Sequence, residues 1–260
     1  MSRPLLAART RRGILPVLLS VACLVAGAAQ STRSDGEDAP SETTVVGLGD
    51  SVVAGSGCSC PGFVSIVAAA RSDRRRVSTG LDLGRNGMTA HDLAAALQRD
   101  PVLRRAVARA DVVLLTVGAN DLVPALQRWQ SGGCRPSCPV PELASVGGDV
   151  ARVMQQVRGL GAARVFVSGY WNVFPEGRVA TARFGPDFAG WSDQLTRRFN
   201  SAVQAVAERA GATYVDVYGP FKGADGRTDD DPLLAADGDH PDARGHDVLA
   251  RSFLAAGAAG

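Results

Sequence analysis

Five short strand-like runs punctuate the chain, each followed by a polar or glycine-rich cluster and then by a stretch with helical spacing. The runs are "TVVGLGD" (44–50), "RVSTGLDLG" (76–84), "DVVLLTVGAND" (111–121), "ARVFVSGYW" (163–171) and "TYVDVYGPF" (213–221). Helical patterns fall in "PGFVSIVAAARSD", "TAHDLAAALQRD", "PVLRRAVARA", "VGGDVARVMQQVRGLG", residues 187–211, and "DARGHDVLARSFLAA". Uninterrupted apolar strands between helices belong to a parallel sheet buried on both faces. The alternation therefore predicts a flavodoxin-like three-layer α/β sandwich, a five-stranded parallel sheet with helices on both faces, spanning residues 43–260. In open sheets of this kind ligands bind beyond the carboxyl ends of the strands. "GDS", "GRNG" and "GAND" fall at three of those ends.

The first 28 residues follow a different pattern. Arg3, Arg9, Arg11 and Arg12 precede an apolar run from Ile14 to Val25 and then Ala26-Gly27-Ala28. A basic start, a short apolar centre and small residues at the end read as a signal peptide cleaved near Ala28. The run is short of the ~20 residues a spanning helix needs, so no stable membrane span is expected, although attachment to the cell envelope stays open. Cys23 sits late in the run, but "LSVAC" is a poor lipidation box. Residues 29–42, including "STRSDGEDAPSE", are polar and aperiodic and read as a flexible lead-in.

Composition changes the picture in two places. Four arginines and no acids leave with residues 1–28, taking the formal charge from +2 to −2. A nearly neutral domain argues against nucleic acid as a partner, and a monomer acting on a small-molecule or lipid ester fits better. Cysteine usage agrees with export. Beyond Cys23, Cys58, Cys60, Cys134 and Cys138 make an even set, which implies two disulfides. Cys58 and Cys60 are close enough in sequence that each is expected to pair elsewhere. A bridge between the two clusters would rim a site at the strand ends. A zinc site is disfavoured, because no histidine lies near either pair.

Candidate chemistry gathers around Ser51. Alone it reads equally well as a nucleophile or a helix N-cap, and no complete G-x-S-x-G elbow is present. A nucleophile needs a base. His91 and His246 lie inside helical patterns, whereas His240 stands in the polar "AADGDHPD". Asp237, three residues earlier, can reach the imidazole, fix its tautomer and stabilise the imidazolium; Asp239 is the competing acid. Asn120 offers a side-chain amide at the end of the third strand. The backbone N–H groups of Gly87 and Ser51 would complete an oxyanion hole.

Gly-Asp-Ser, then Gly87, then Gly-Ala-Asn-Asp, then Asp-Gly-Asp-His-Pro occur in one order over nearly the whole mature chain. This resembles the SGNH hydrolases, also called the GDSL esterase/lipase family, with Ser51, Gly87, Asn120 and His240 at the four invariant positions. The resemblance implies a Ser51–His240–Asp237 triad, an oxyanion hole from Ser51, Gly87 and Asn120, and no metal or other cofactor. Val52 departs from the usual Leu or aromatic residue, which bears on pocket shape.

Substrate choice is less legible. Residues 168–191 hold most of the aromatic residues and start beyond the fourth strand, so Tyr170, Trp171 and Phe174 are expected to wall a pocket. Phe184 to Trp191 reads as helix packing. Secreted esterase or lipase is the leading expectation, with a carbohydrate O-acetyl esterase as the alternative. A non-catalytic surface-binding domain fits poorly, because every catalytic position is intact.

Overall fold

The computed structural model describes residues 41–133 and 140–259. The five strands are β1 (Ser41–Gly49), β2 (Arg76–Gly84), β3 (Val112–Thr116), β4 (Arg164–Ser168) and β5 (Thr213–Val215), all parallel, in the order β2-β1-β3-β4-β5. β3 is buried at all five positions and β1 over its last five. Successive strand residues point to opposite faces, so both faces must be covered. Edge strand β2 instead alternates and leaves Val77 and Leu81 exposed.

The longer helices are α1 (Phe63–Arg71), α2 (Ala90–Arg99), α3 (Pro101–Ala108), α4 (Val123–Gln130), α5 (Glu142–Gly159), α6 (Gly177–Phe184), α7 (Phe188–Ala210) and α9 (Ala243–Phe253). A five-residue turn of helix, α8 (Tyr218–Lys222), precedes the last of these. α1 packs against α9, while α2, α5 and α7 pack in a row. Sequence starts several of them visibly: Thr89, Asp100 and Asp242 each accept a backbone N–H from the first turn of the helix they precede. Among the described residues no helix is long and apolar enough to cross a membrane.

Register positions the functional end. Gly49 of β1 lies opposite Gly84 of β2 and Thr116 of β3. The segments that follow, Asp50–Ser51, Arg85–Gly87 and Val117–Asn120, therefore leave the sheet at one level. Gly49 itself has φ +144°, and a Cβ there would overlap the Thr116 carbonyl oxygen, so only glycine lets the two strands close at this point.

Three expectations are corrected. The lead-in ends earlier than residue 42, because Ser41 and Glu42 already pair with Arg76 and Val77. The last strand stops at Val215, not at Phe221. Asp216 accepts the Tyr218 N–H at 3.0 Å and turns the chain into α8. Arg128–Gln130 closes α4, and Arg128 holds Glu142 through two bonds of 2.6 Å. Finally, Cys58 and Cys60 are bonded to each other, not each to a partner elsewhere; the bend after Gly57 brings their Cα atoms to 5.2 Å, within bridging range. Cys134 and Cys138 lie outside the described residues, as do the signal-peptide segment and most of the lead-in.

Candidate active site

Ser51 follows β1 directly and is no helix cap: α1 begins twelve residues later, with Gly62 at its N-cap position. Asp50 is buried and anchors the turn. Its N–H donates to the Thr116 carbonyl at 3.1 Å, and its carbonyl accepts from Ala54 at 3.0 Å. Its carboxylate accepts the Val52 N–H at 3.0 Å and the Tyr170 hydroxyl. Burial pushes the Asp50 carboxyl up to about 6, against the lowering effect of those two bonds.

Gly87 sits in the turn Arg85–Met88, closed by the Met88 N–H on the Arg85 carbonyl at 3.1 Å. Its φ of +73° is left-handed, while a Cβ there would meet nothing within 4 Å; conformation, not space, calls for glycine. Asn120 joins this turn, its Nδ2 donating to the Met88 carbonyl at 3.0 Å. Asp121 beside it caps α2 by accepting the Ala90 N–H at 2.8 Å. Burial raises its carboxyl, against the lowering pull of the Ala90 and His91 amides.

His240 arrives from the loop before α9. Its Nδ1 lies 2.7 Å from Asp237 Oδ2, and Asp237 Oδ1 accepts the backbone N–H groups of Asp239 and His240, each at 3.0 Å. Partial burial pushes the Asp237 carboxyl up, but the bonds from the His240 ring and the two amides outweigh it and leave it below the ordinary value. An ionised carboxylate only accepts, so Nδ1 carries the hydrogen and Nε2 keeps a lone pair. Asp239, the rival acid, is not on the ring; it faces the pocket. The other histidines stand apart: His91 is exposed, and His246 is fully buried with Nδ1 accepting the Phe63 N–H at 3.3 Å.

Ser51, Asn120 and His240 line one pocket of about 210 Å³, together with Tyr170, Trp171 and Phe174. Gly87 and Asp237 are not lining residues; they support the ones that are. The aromatic wall is stiff. Trp171 stacks on Phe221 at 4.5 Å and Phe174 on Trp191 at 5.8 Å. Phe188 and Trp191 pack in the core, as their helical spacing predicts. Sequence reasoning missed Val123, Leu126, Asn172 and Arg183, which also line the pocket; they carry no local motif, and only the fold brings them there. Asp50 was legible as part of Gly-Asp-Ser, but not as a buried carboxylate.

Residues 48–248 match the GDSL-like Lipase/Acylhydrolase family model. No curated protein matches the chain. Among solved structures, the lipase Lip_vut3 from a goat rumen metagenome is 20% identical, with a TM-score of 0.65 over 83% of this chain and 97% of its own. The acetylxylan esterase Axe2 from Geobacillus stearothermophilus is 18% identical, with a TM-score of 0.58 over 84% and 94%. The α/β hydrolase LAE5 from the metagenome of Lake Arreo, Spain, is 22% identical, with a TM-score of 0.55 over 84% and 95%. With a family match over most of its length, this chain belongs to the GDSL-like lipase/acylhydrolase family and is a carboxylic ester hydrolase.

Proposed function

We propose that the chain is an exported serine esterase that cleaves small carboxylic esters through an acyl-enzyme on Ser51. The observation that carries this reading is the convergence of Ser51, Asn120 and His240 on one pocket, with Asp237 bonded to the far side of the imidazole.

His240 Nε2 takes the Ser51 proton as Oγ attacks the ester carbonyl carbon. The carbonyl π pair moves onto oxygen, and that oxyanion rests on the Asn120 amide and the Ser51 N–H, with the Gly87 turn holding Asn120 through the Met88 carbonyl. Collapse re-forms the carbonyl and breaks the bond to the alkoxide, which leaves with the proton from Nε2. Water then attacks the acyl-enzyme, deprotonated by the same nitrogen, and the acid departs as Ser51 recovers its proton. Asp237 stays ionised throughout, stabilising the imidazolium.

Pocket size supports short acyl groups. A volume of about 210 Å³ falls below the roughly 300–1,000 Å³ of sites for drug-sized ligands, and buried aromatic rings back the wall. A second reading, carbohydrate O-acetyl esterase, is favoured by the polar side of the same pocket, where Asn172, Arg183 and Asp239 could face a hydroxylated alcohol. The similar Axe2 is an acetylxylan esterase. Export rests on the basic and apolar pattern of residues 1–28, and N-terminal sequencing of the protein from culture medium checks it.

The test is hydrolysis of p-nitrophenyl esters from acetate to palmitate. Rates should fall with chain length. Ser51→Ala should lose activity on the order of a million-fold, and Asn120→Ala roughly a hundred- to a thousandfold. A fully active Ser51→Ala protein would refute the assignment. Acetylated sugars assayed alongside separate the two readings.

A further inference from the structure

We infer that Asp50, held in place by the Tyr170 hydroxyl, is a positioning residue for the nucleophile and a second fixed negative charge beside the His240 imidazole. The inference rests on the serine-esterase reading above and adds to it a residue outside the triad and the oxyanion donors.

The geometry is a clamp around Ser51. Asp50 Oδ1 accepts the N–H of Val52, two residues on, so its carboxylate closes a ring across Ser51 and restrains the dihedrals that aim the serine side chain. The second oxygen accepts the Tyr170 O–H. Tyr170 comes from the far side of β3 and is itself fixed: its N–H donates to Asn200 Oδ1 at 2.9 Å, and its carbonyl accepts from Asn200 Nδ2 at 2.8 Å. A line of bonds therefore runs from α7 through Tyr170 and Asp50 to the Ser51 turn.

Helix capping does not explain the carboxylate. No helix starts at Ser51, and a buried charge is costly unless it is satisfied. Both Asp50 oxygens are satisfied, yet burial still pushes its carboxyl up to about 6. Tyr170 from the β4 end, and His240 and Asp239 from the loop before α9, line the same pocket as Asp50 and act on its charge; Asp121 bears on the Tyr170 side. His240 favours the ionised carboxylate, and by reciprocity the carboxylate favours the imidazolium formed when Ser51 gives up its proton.

Two near-isosteric variants test this, with displacements of the same sign and different size. Asp50→Asn keeps an acceptor for Val52 but removes the charge. Its kcat for p-nitrophenyl acetate should fall roughly ten- to a hundredfold with KM little changed, and the acid limb of the kcat/KM profile should move to lower pH. Tyr170→Phe keeps the ring in the pocket wall but removes the bond that favours the ionised carboxylate. With less of the Asp50 charge left to favour the imidazolium, its acid limb should also move to lower pH, by less than in Asp50→Asn, again with a fall in kcat and not a rise in KM. A purely structural role would scale both profiles without displacing either. Unshifted midpoints in both, or kcat equal to wild type in both, would overturn the inference. If Asp50→Asn does not fold, the displacement in Tyr170→Phe decides alone. Wild-type and Ser51→Ala proteins run in parallel separate the two levels. An inert wild type brings down the esterase reading and this inference together. An active wild type with unshifted variants brings down this inference only.

Discussion

Two glycines near the nucleophile are glycines for different reasons, and substitution should tell them apart. At Gly49 a side chain has no room: φ is +144° and a Cβ would overlap the Thr116 carbonyl oxygen, which is backbone and cannot swing aside. Gly49→Ala should cost roughly 3 kcal/mol or more in urea denaturation, since two strands must part. At Gly87 only the left-handed φ of +73° resists. Gly87→Ala should cost about 1 kcal/mol, leaving a folded protein in which loss of activity reads directly on the turn. Equal destabilisation by the two would contradict this account. Neither distinction was visible in the sequence, where both residues are simply glycines in polar clusters.

At the scale of elements, the segment after β4 sets what the pocket admits. Tyr170, Trp171 and Phe174 are buried and backed by further rings, and on the proposed reading they limit the acyl chain. Phe174→Ala should open the pocket. The ratio of kcat/KM for octanoate over acetate should rise, at a stability cost of about 3–5 kcal/mol; an unchanged ratio would place the acyl group elsewhere. The strands themselves were legible because a parallel sheet buried on both faces needs continuous apolar runs, and "VVLLT" or "VFVS" can be little else between helices. "TYVDVYGPF" misled for the same reason. Its apolar content is that of a strand, but the Asp216 side chain diverts the backbone after three residues. α4 and α6 were missed as short helices in polar surroundings, where pattern is faint. That Ser51, Asn120 and His240 would share one pocket was legible because spacing and residue type survive in the sequence. Asp50 shows the limit: a carboxylate beside a serine looks solvated until the fold buries it.

For the molecule as a whole, two buried carboxyls tilt stability with pH. Lys222, the only lysine, is buried against Glu176 and lies 3.9 Å from Asp230. Burial pushes the Glu176 carboxyl up to about 7 from an ordinary 4.5, against the pull of Lys222, and that of Asp50 up to about 6 from 3.8. A carboxyl that holds its proton more tightly folded than unfolded contributes fully below its ordinary value and loses that contribution as pH rises through its folded value. Stability should therefore decline by a few kcal/mol between about pH 4 and 7. Urea titrations at the two ends measure it. Glu176→Gln should flatten the upper part of the decline, and a slope as steep as wild type would exclude Glu176 as its source.

The shared level of Gly49, Gly84 and Thr116 has a temporal consequence. Ser51, Gly87 and Asn120 lie at one end of the sheet because three strands end together, and His240 comes from a segment almost two hundred residues after the first of them. Helices can form locally and early, but none of them brings these groups together. A chain with β1 slipped by one residue would carry the same side chains on the wrong faces. On the proposed reading, activity is expected only once the sheet has closed, and its recovery during refolding would time that closure.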